Sequence, residues 1–96
     1  MTVANREARL LHVYGRVQGV GFRWSLAGQA ERLNLQGWVR NRRDSSVEAL
    51  VWGEHEAVAR LIHWAGFGPP AAQVDQVEVE KVESYPAGFV CLADGE

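Results

Sequence analysis

"YGRVQGVGFRW", Tyr14 to Trp24, holds three glycines within seven residues (Gly15, Gly19, Gly21) and then a phenylalanine and an arginine. Upstream, "RLLHVYG" (Arg9 to Gly15) is rich in branched and aromatic residues and reads as a buried strand. Downstream, Phe22, Leu26, Ala30 and Leu33 recur at helical spacing and give one apolar face to a helix of about three turns. Asn34 follows the last of them, and asparagine tolerates the left-handed conformation in which helices end. The stretch is a strand-to-helix junction.

Beyond it, "LQGWVRNRR" and "SVEALVWG" read as two strands, and the short turn at Asp44-Ser45 predicts a hairpin. "EHEAVARLIHWAG" is a second helix with an apolar stripe of Ala57, Val58, Leu61, Ile62 and Ala65. Glu54 and Glu56 suit its positive N-terminus and Gly66 is a plausible stop. Two prolines in "GFGPP" forbid helix continuation there. "QVEVEKVES" alternates Val77 and Val79 with charges, a half-buried strand, and "GFVCLA" is a last short one. The order β-α-β-β-α-β, plus a short C-terminal strand, predicts an α+β fold. It is the ferredoxin-like split β-α-β sandwich, a mixed sheet with two helices on one face. Residues 9–93 are expected to form a single domain, with 1–8 a flexible N-terminus and 94–96 a tail.

That topology gives the glycines a chemical context. The first two strands of a split β-α-β unit run parallel, so the glycine loop and Asn41 emerge at the same edge of the sheet. With one strand between them they stand roughly 10 Å apart in backbone. Glycines let successive N–H groups turn inward as an anion nest, and a helix N-terminus adds unpaired donors. Arg23, in the first helical turn, adds a guanidinium fork matched to phosphate or carboxylate. Two familiar phosphate motifs fail. Counting the P-loop pattern from Gly15 lands on Val20 with no lysine, and the dinucleotide pattern from Gly19 needs glycine where Trp24 stands.

"GRVQGVGFR" (Gly15 to Arg23) resembles the phosphate-binding signature of the acylphosphatase family. "GWVRN" (Gly37 to Asn41), with Val47 and Gly53 in "SVEALVWG", resembles its second signature, and the likeness runs from about Leu10 to Val79. The resemblance implies a hydrolase that splits acyl phosphates into a carboxylate and inorganic phosphate, with no cofactor and no metal. Phosphate or sulfate would then bind as product or analogue. In that family's terms Arg23 binds the phosphate with the backbone amides of Val17, Gln18, Gly19, Val20, Gly21 and Phe22. Asn41 orients the attacking water. The family commonly places glycine after "NRRD", where this chain has Ser45. If that turn needs a positive φ, serine costs about 1 kcal/mol there.

Composition bounds the alternatives. The 96 residues are 47% hydrophobic, ordinary for one globular core. No apolar run is long enough to span a membrane, and "MTVANREA" lacks a signal-peptide core, so a cytoplasmic monomer is expected. The net charge of −2 argues against a nucleic-acid partner, although Arg40, Arg42 and Arg43 cluster. Trp38 and Trp52 share a strand face with Arg40 and are expected to cover the open sheet rather than stack bases. His12, His55 and His63 show no metal spacing and read as structural or surface groups. The single Cys91, in an apolar run, reads as buried and inert. A non-catalytic anion-binding or regulatory module on the same fold is the alternative to the enzyme.

Overall fold

The computed structural model describes residues 5–93, and the expectations for residues 1–4 and the tail 94–96 lie outside them. The elements are β1 (Arg6–Arg16), α1 (Phe22–Arg32), β2 (Gln36–Asn41), β3 (Val47–Glu54), α2 (His55–Ala65), β4 (Gln73–Val82) and β5 (Phe89–Cys91). The sheet order is β4-β1-β3-β2-β5. β1 and β2 are each antiparallel to β3, so they run parallel to each other with β3 between them. β5 adds a parallel edge to β2. This is the arrangement that the periodicities predict.

Both helices lie on one face because both have one apolar side to hide. α1 packs on β2 and β5, α2 on β1 and β3. Phe22, Leu26 and Ala30 from α1 and Val58, Leu61 and Ala65 from α2 are buried. They close on Leu11, Val13, Val39, Val47, Ala49 and Val51, the odd-numbered sheet positions. Burying one such large aliphatic side chain contributes about 1.5–3 kcal/mol. Even-numbered positions form the open face. There the carboxylate of Glu48, with a side chain only 7% exposed, meets His12, Arg40 and Arg42 at 2.8, 2.7 and 3.2 Å. Trp52 donates its indole N–H to the Pro86 carbonyl at 2.7 Å and lies edge-on to Tyr85. The Arg40 guanidinium covers Trp38.

Several expectations are corrected. β1 begins at Arg6, inside the segment read as a flexible N-terminus, because Arg6, Glu7 and Ala8 pair with Glu54, Gly53 and Trp52. Ala8 is buried there, but two charged neighbours hide the strand pattern in the sequence. Val79 is exposed although Val77 is half-buried. β4 is an edge strand that outruns the helix layer. Cys91 is exposed, not buried. Among the described residues its strand pairs only with β2, over three residues, and has no strand on its outer side. Gly66 does cap α2, yet in right-handed conformation, and Gly68 takes the positive φ.

The β2–β3 turn settles what Ser45 does. Ser45 N–H donates to the Arg42 carbonyl, and Arg42 N–H donates to the Ser46 carbonyl. Ser45 itself sits at φ 76°. This is a three-residue hairpin loop closed by a left-handed residue, a geometry that favours glycine. Serine holds that left-handed position and bears the strain.

Candidate anion site at the parallel strand ends

One rung of the sheet sets the spacing. Val47 pairs with Val13 on one side and with Asn41 on the other. Asn41 therefore lies two strand spacings from Val13 of β1, about 10 Å. Side-chain alternation then selects its face. Val39 points into the helix layer and is fully buried, so Asn41, two residues on, points to the same side. Arg40 goes to the open face, against Glu48. Asn41 thus looks toward the N-terminus of α1.

The loop between β1 and α1 uses its glycines for two different purposes. Gly15, at φ 125°, sits at the β1–β4 register shift after Tyr14. A Cβ there would collide with the backbone of Gln73 and Asp75. Its freedom serves strand packing. Gly19 and Gly21, at φ 75° and 80°, face open space, and Gly21 is the N-cap residue of α1. Positive φ at these two positions, beside a helix N-terminus, is the backbone conformation from which anion nests are built.

A concavity of about 180 Å³ is lined by Val17, Gly19, Gly21, Phe22, Arg23, Trp24 and Asn41. Every expected side chain and most of the expected loop are brought together there. Gln18 and Val20 are not on the lining. Val20 packs against the core. Gln18 instead turns its amide to the hairpin, donating to the Arg42 and Ser46 carbonyls at 2.8 Å each. It straps the loop to the turn that follows Asn41. Arg23 donates to the Leu92 carbonyl at 3.2 Å, and Leu92 N–H is held by the Val39 carbonyl. The C-terminal segment thus orients the arginine. Neither the strap nor the Leu92 contact is visible in the sequence signals, since both depend on tertiary docking. Trp24, 77% exposed at the mouth, is a lining residue that sequence reasoning passed over.

The surrounding electrostatics suit an anion at this end of the sheet. A hollow at the other end is lined by Asn5, Glu54, His55 and Glu56, and its carboxylates repel phosphate. On the open face, burial would push the Glu48 carboxyl up. The hydrogen bonds and charges of Arg40 and His12 outweigh it and hold the group below its ordinary value. Asp44 is also held low, by accepting hydrogen bonds from the Ser46 hydroxyl and backbone N–H. Those acids are committed to the hairpin.

The acylphosphatase family model matches residues 10–90. The chain belongs to the acylphosphatase family. A family relative, the acylphosphatase of Azoarcus sp. strain BH72, is 56% identical over 86 residues, covering 88% of each chain. The solved acylphosphatase of Coxiella burnetii superimposes with a TM-score of 0.87 at 38% identity, covering 96% of this chain and 100% of that one. Full-length HypF, solved in a phosphate- and nucleotide-bound form, carries a similar unit. The TM-score is 0.88 at 30% identity, over 99% of this chain and 13% of HypF.

Proposed function

We propose that the protein hydrolyses the carboxyl–phosphate bond of acyl phosphates, giving a carboxylate and inorganic phosphate. One observation carries the reading: a glycine nest, an arginine and an asparagine line a single small concavity in a chain of this family. The Arg23 guanidinium and the amides of the Val17–Phe22 loop hold the phosphoryl oxygens, where charge-assisted hydrogen bonds contribute about 1.5–3 kcal/mol each. The Asn41 side chain orients a water in line with the leaving oxygen. The water oxygen bonds to phosphorus and the phosphorus–acyl oxygen bond breaks. Its electron pair leaves with the carboxylate, and the water's proton passes to a phosphate oxygen. A carboxylate is already a good leaving group, so positioning and charge stabilisation supply the remaining catalysis.

The test is benzoyl phosphate hydrolysis, with chelator present, by the wild type, Arg23→Ala and Asn41→Ala. Turnover should fall by more than about 10²-fold in each variant. Near-normal turnover in Arg23→Ala would refute the assignment. The likeness to one part of HypF favours a second reading, an anion-binding module. Phosphate binding by a folded but inactive wild type would select it. The enzyme reading also takes the working form to be a cytoplasmic monomer, which light scattering and fractionation check.

A further inference from the structure

The concavity is too small to enclose a large organic substrate. At about 180 Å³ it falls below the 300 Å³ or so at which pockets enclose whole organic ligands. A phosphoryl group and a short acyl chain fit within it, whereas a bulkier acyl group extends to the mouth and lies against whatever the mouth presents. Val17 and Phe22, also on the lining, are themselves buried. Trp24 is the exposed aromatic there.

Helix geometry aims this side chain at the site. Long helical side chains lean toward the N-terminus, over the preceding turn. For Trp24, in the first turn of α1, the preceding turn is the glycine loop. The same indole walls a second, shallower groove of about 260 Å³, shared with Ala27, Gly28, Glu31, Phe89 and Cys91. Gly28, four residues on and so on the same helix side, leaves open space where a side chain would stand. The groove floor is therefore small or apolar, and its one charge is the carboxylate of Glu31. A large exposed indole on an anion site is unusual, because its hydration is unfavourable unless something covers it.

We infer that Trp24 forms the acyl subsite and that the preferred acyl group is flat, apolar and uncharged, an aromatic acid. The inference rests on the hydrolase reading and deepens it. The acyl ring stacks on the indole while its phosphate lies in the nest. Glu31 disfavours acyl groups bearing a second negative charge.

The test compares kcat/KM for benzoyl phosphate and acetyl phosphate in the wild type, Trp24→Ala and Trp24→Phe. Circular dichroism checks that each variant is folded. The wild type should favour benzoyl phosphate. Trp24→Ala should lower the benzoyl-to-acetyl ratio by about fivefold to tenfold, mostly through KM. Trp24→Phe, which keeps a ring, should restore most of the ratio. An unchanged ratio in Trp24→Ala, with both substrates still hydrolysed, would overturn the subsite and leave the hydrolase reading standing. A folded wild type that hydrolyses neither acyl phosphate would overturn both.

Discussion

Replacing Ser45 by glycine should make the protein more stable. A non-glycine residue in left-handed conformation costs roughly 1–2 kcal/mol, and Ser45 sits there at φ 76°. Glycine removes that cost but adds freedom to the unfolded chain, which takes back about 0.4–1 kcal/mol. The net gain is about 0.5–1 kcal/mol. At about 2.1 cal/mol/K per residue, a chain of 96 residues unfolds with an entropy near 0.2 kcal/mol/K, so Tm should rise by about 2–5 °C. Ser45→Ala keeps the left-handed strain and should stay within about 0.5 kcal/mol of wild type. Urea and thermal unfolding of the three proteins give the comparison. The hairpin hydrogen bonds from Arg42 and Ser45 are backbone groups and persist in both variants. Hydrolysis should therefore remain within about twofold of wild type. A fall in Tm for Ser45→Gly, or an equal rise for Ser45→Ala, would refute the strain account.

Gln18→Ala removes two hydrogen bonds to carbonyls that each keep a backbone partner, so stability should drop by only about 1–2 kcal/mol. kcat should drop by at least about tenfold, because the loop loses its tie to the hairpin beside Asn41; an unchanged kcat would make Gln18 merely structural. Glu48→Gln should cost about 2 kcal/mol at neutral pH, since two arginines lose their buried counter-charge but stay near 30% exposed. The depressed carboxyl contributes stability above its ordinary unfolded value, and that share is lost as pH falls through the folded value. The acid limb of the stability profile should thus be shallower in Glu48→Gln, as urea midpoints from pH 3 to 7 will show. Cys91 should react stoichiometrically with Ellman's reagent in the native protein; protection until unfolding would restore the buried reading.

What the sequence reveals is what repeats along it. Phe22, Leu26 and Ala30 announce α1 through their spacing, and Val39 between Trp38 and Arg40 announces a strand with two unlike faces. Features that break a period are hidden. Val79 alternates with Val77 and so reads as core, yet on the edge strand β4, opposite Leu11, it stands exposed. Three apolar residues around Cys91 look like a buried strand, but burial depends on neighbours that β5 lacks. Gly15 has the same identity as Gly19 and Gly21. Only the approach of Gln73 shows that it serves the sheet rather than the nest.

The site is legible to the extent that alternation and register define it. Asn41 and Arg40 are neighbours, and either could serve a phosphate by chemistry alone. The pleat decides between them. With Val39 fixed in the core by Leu26-side packing of α1 on β2, every odd position of β2 faces the helix layer and every even one the open sheet. A one-residue slip of β2 against β3 would bury Arg40 at the loop and expose Val39, an apolar loss of about 1.5–3 kcal/mol before any charge is counted. The ion pairs of Glu48 with Arg40 and Arg42 oppose the same slip from the other face. The charged cluster on the open face therefore acts on the opposite side of the sheet. It holds the register that presents a neutral asparagine, rather than an arginine, beside the nest. That leaves Arg23 as the guanidinium among the side chains lining the concavity.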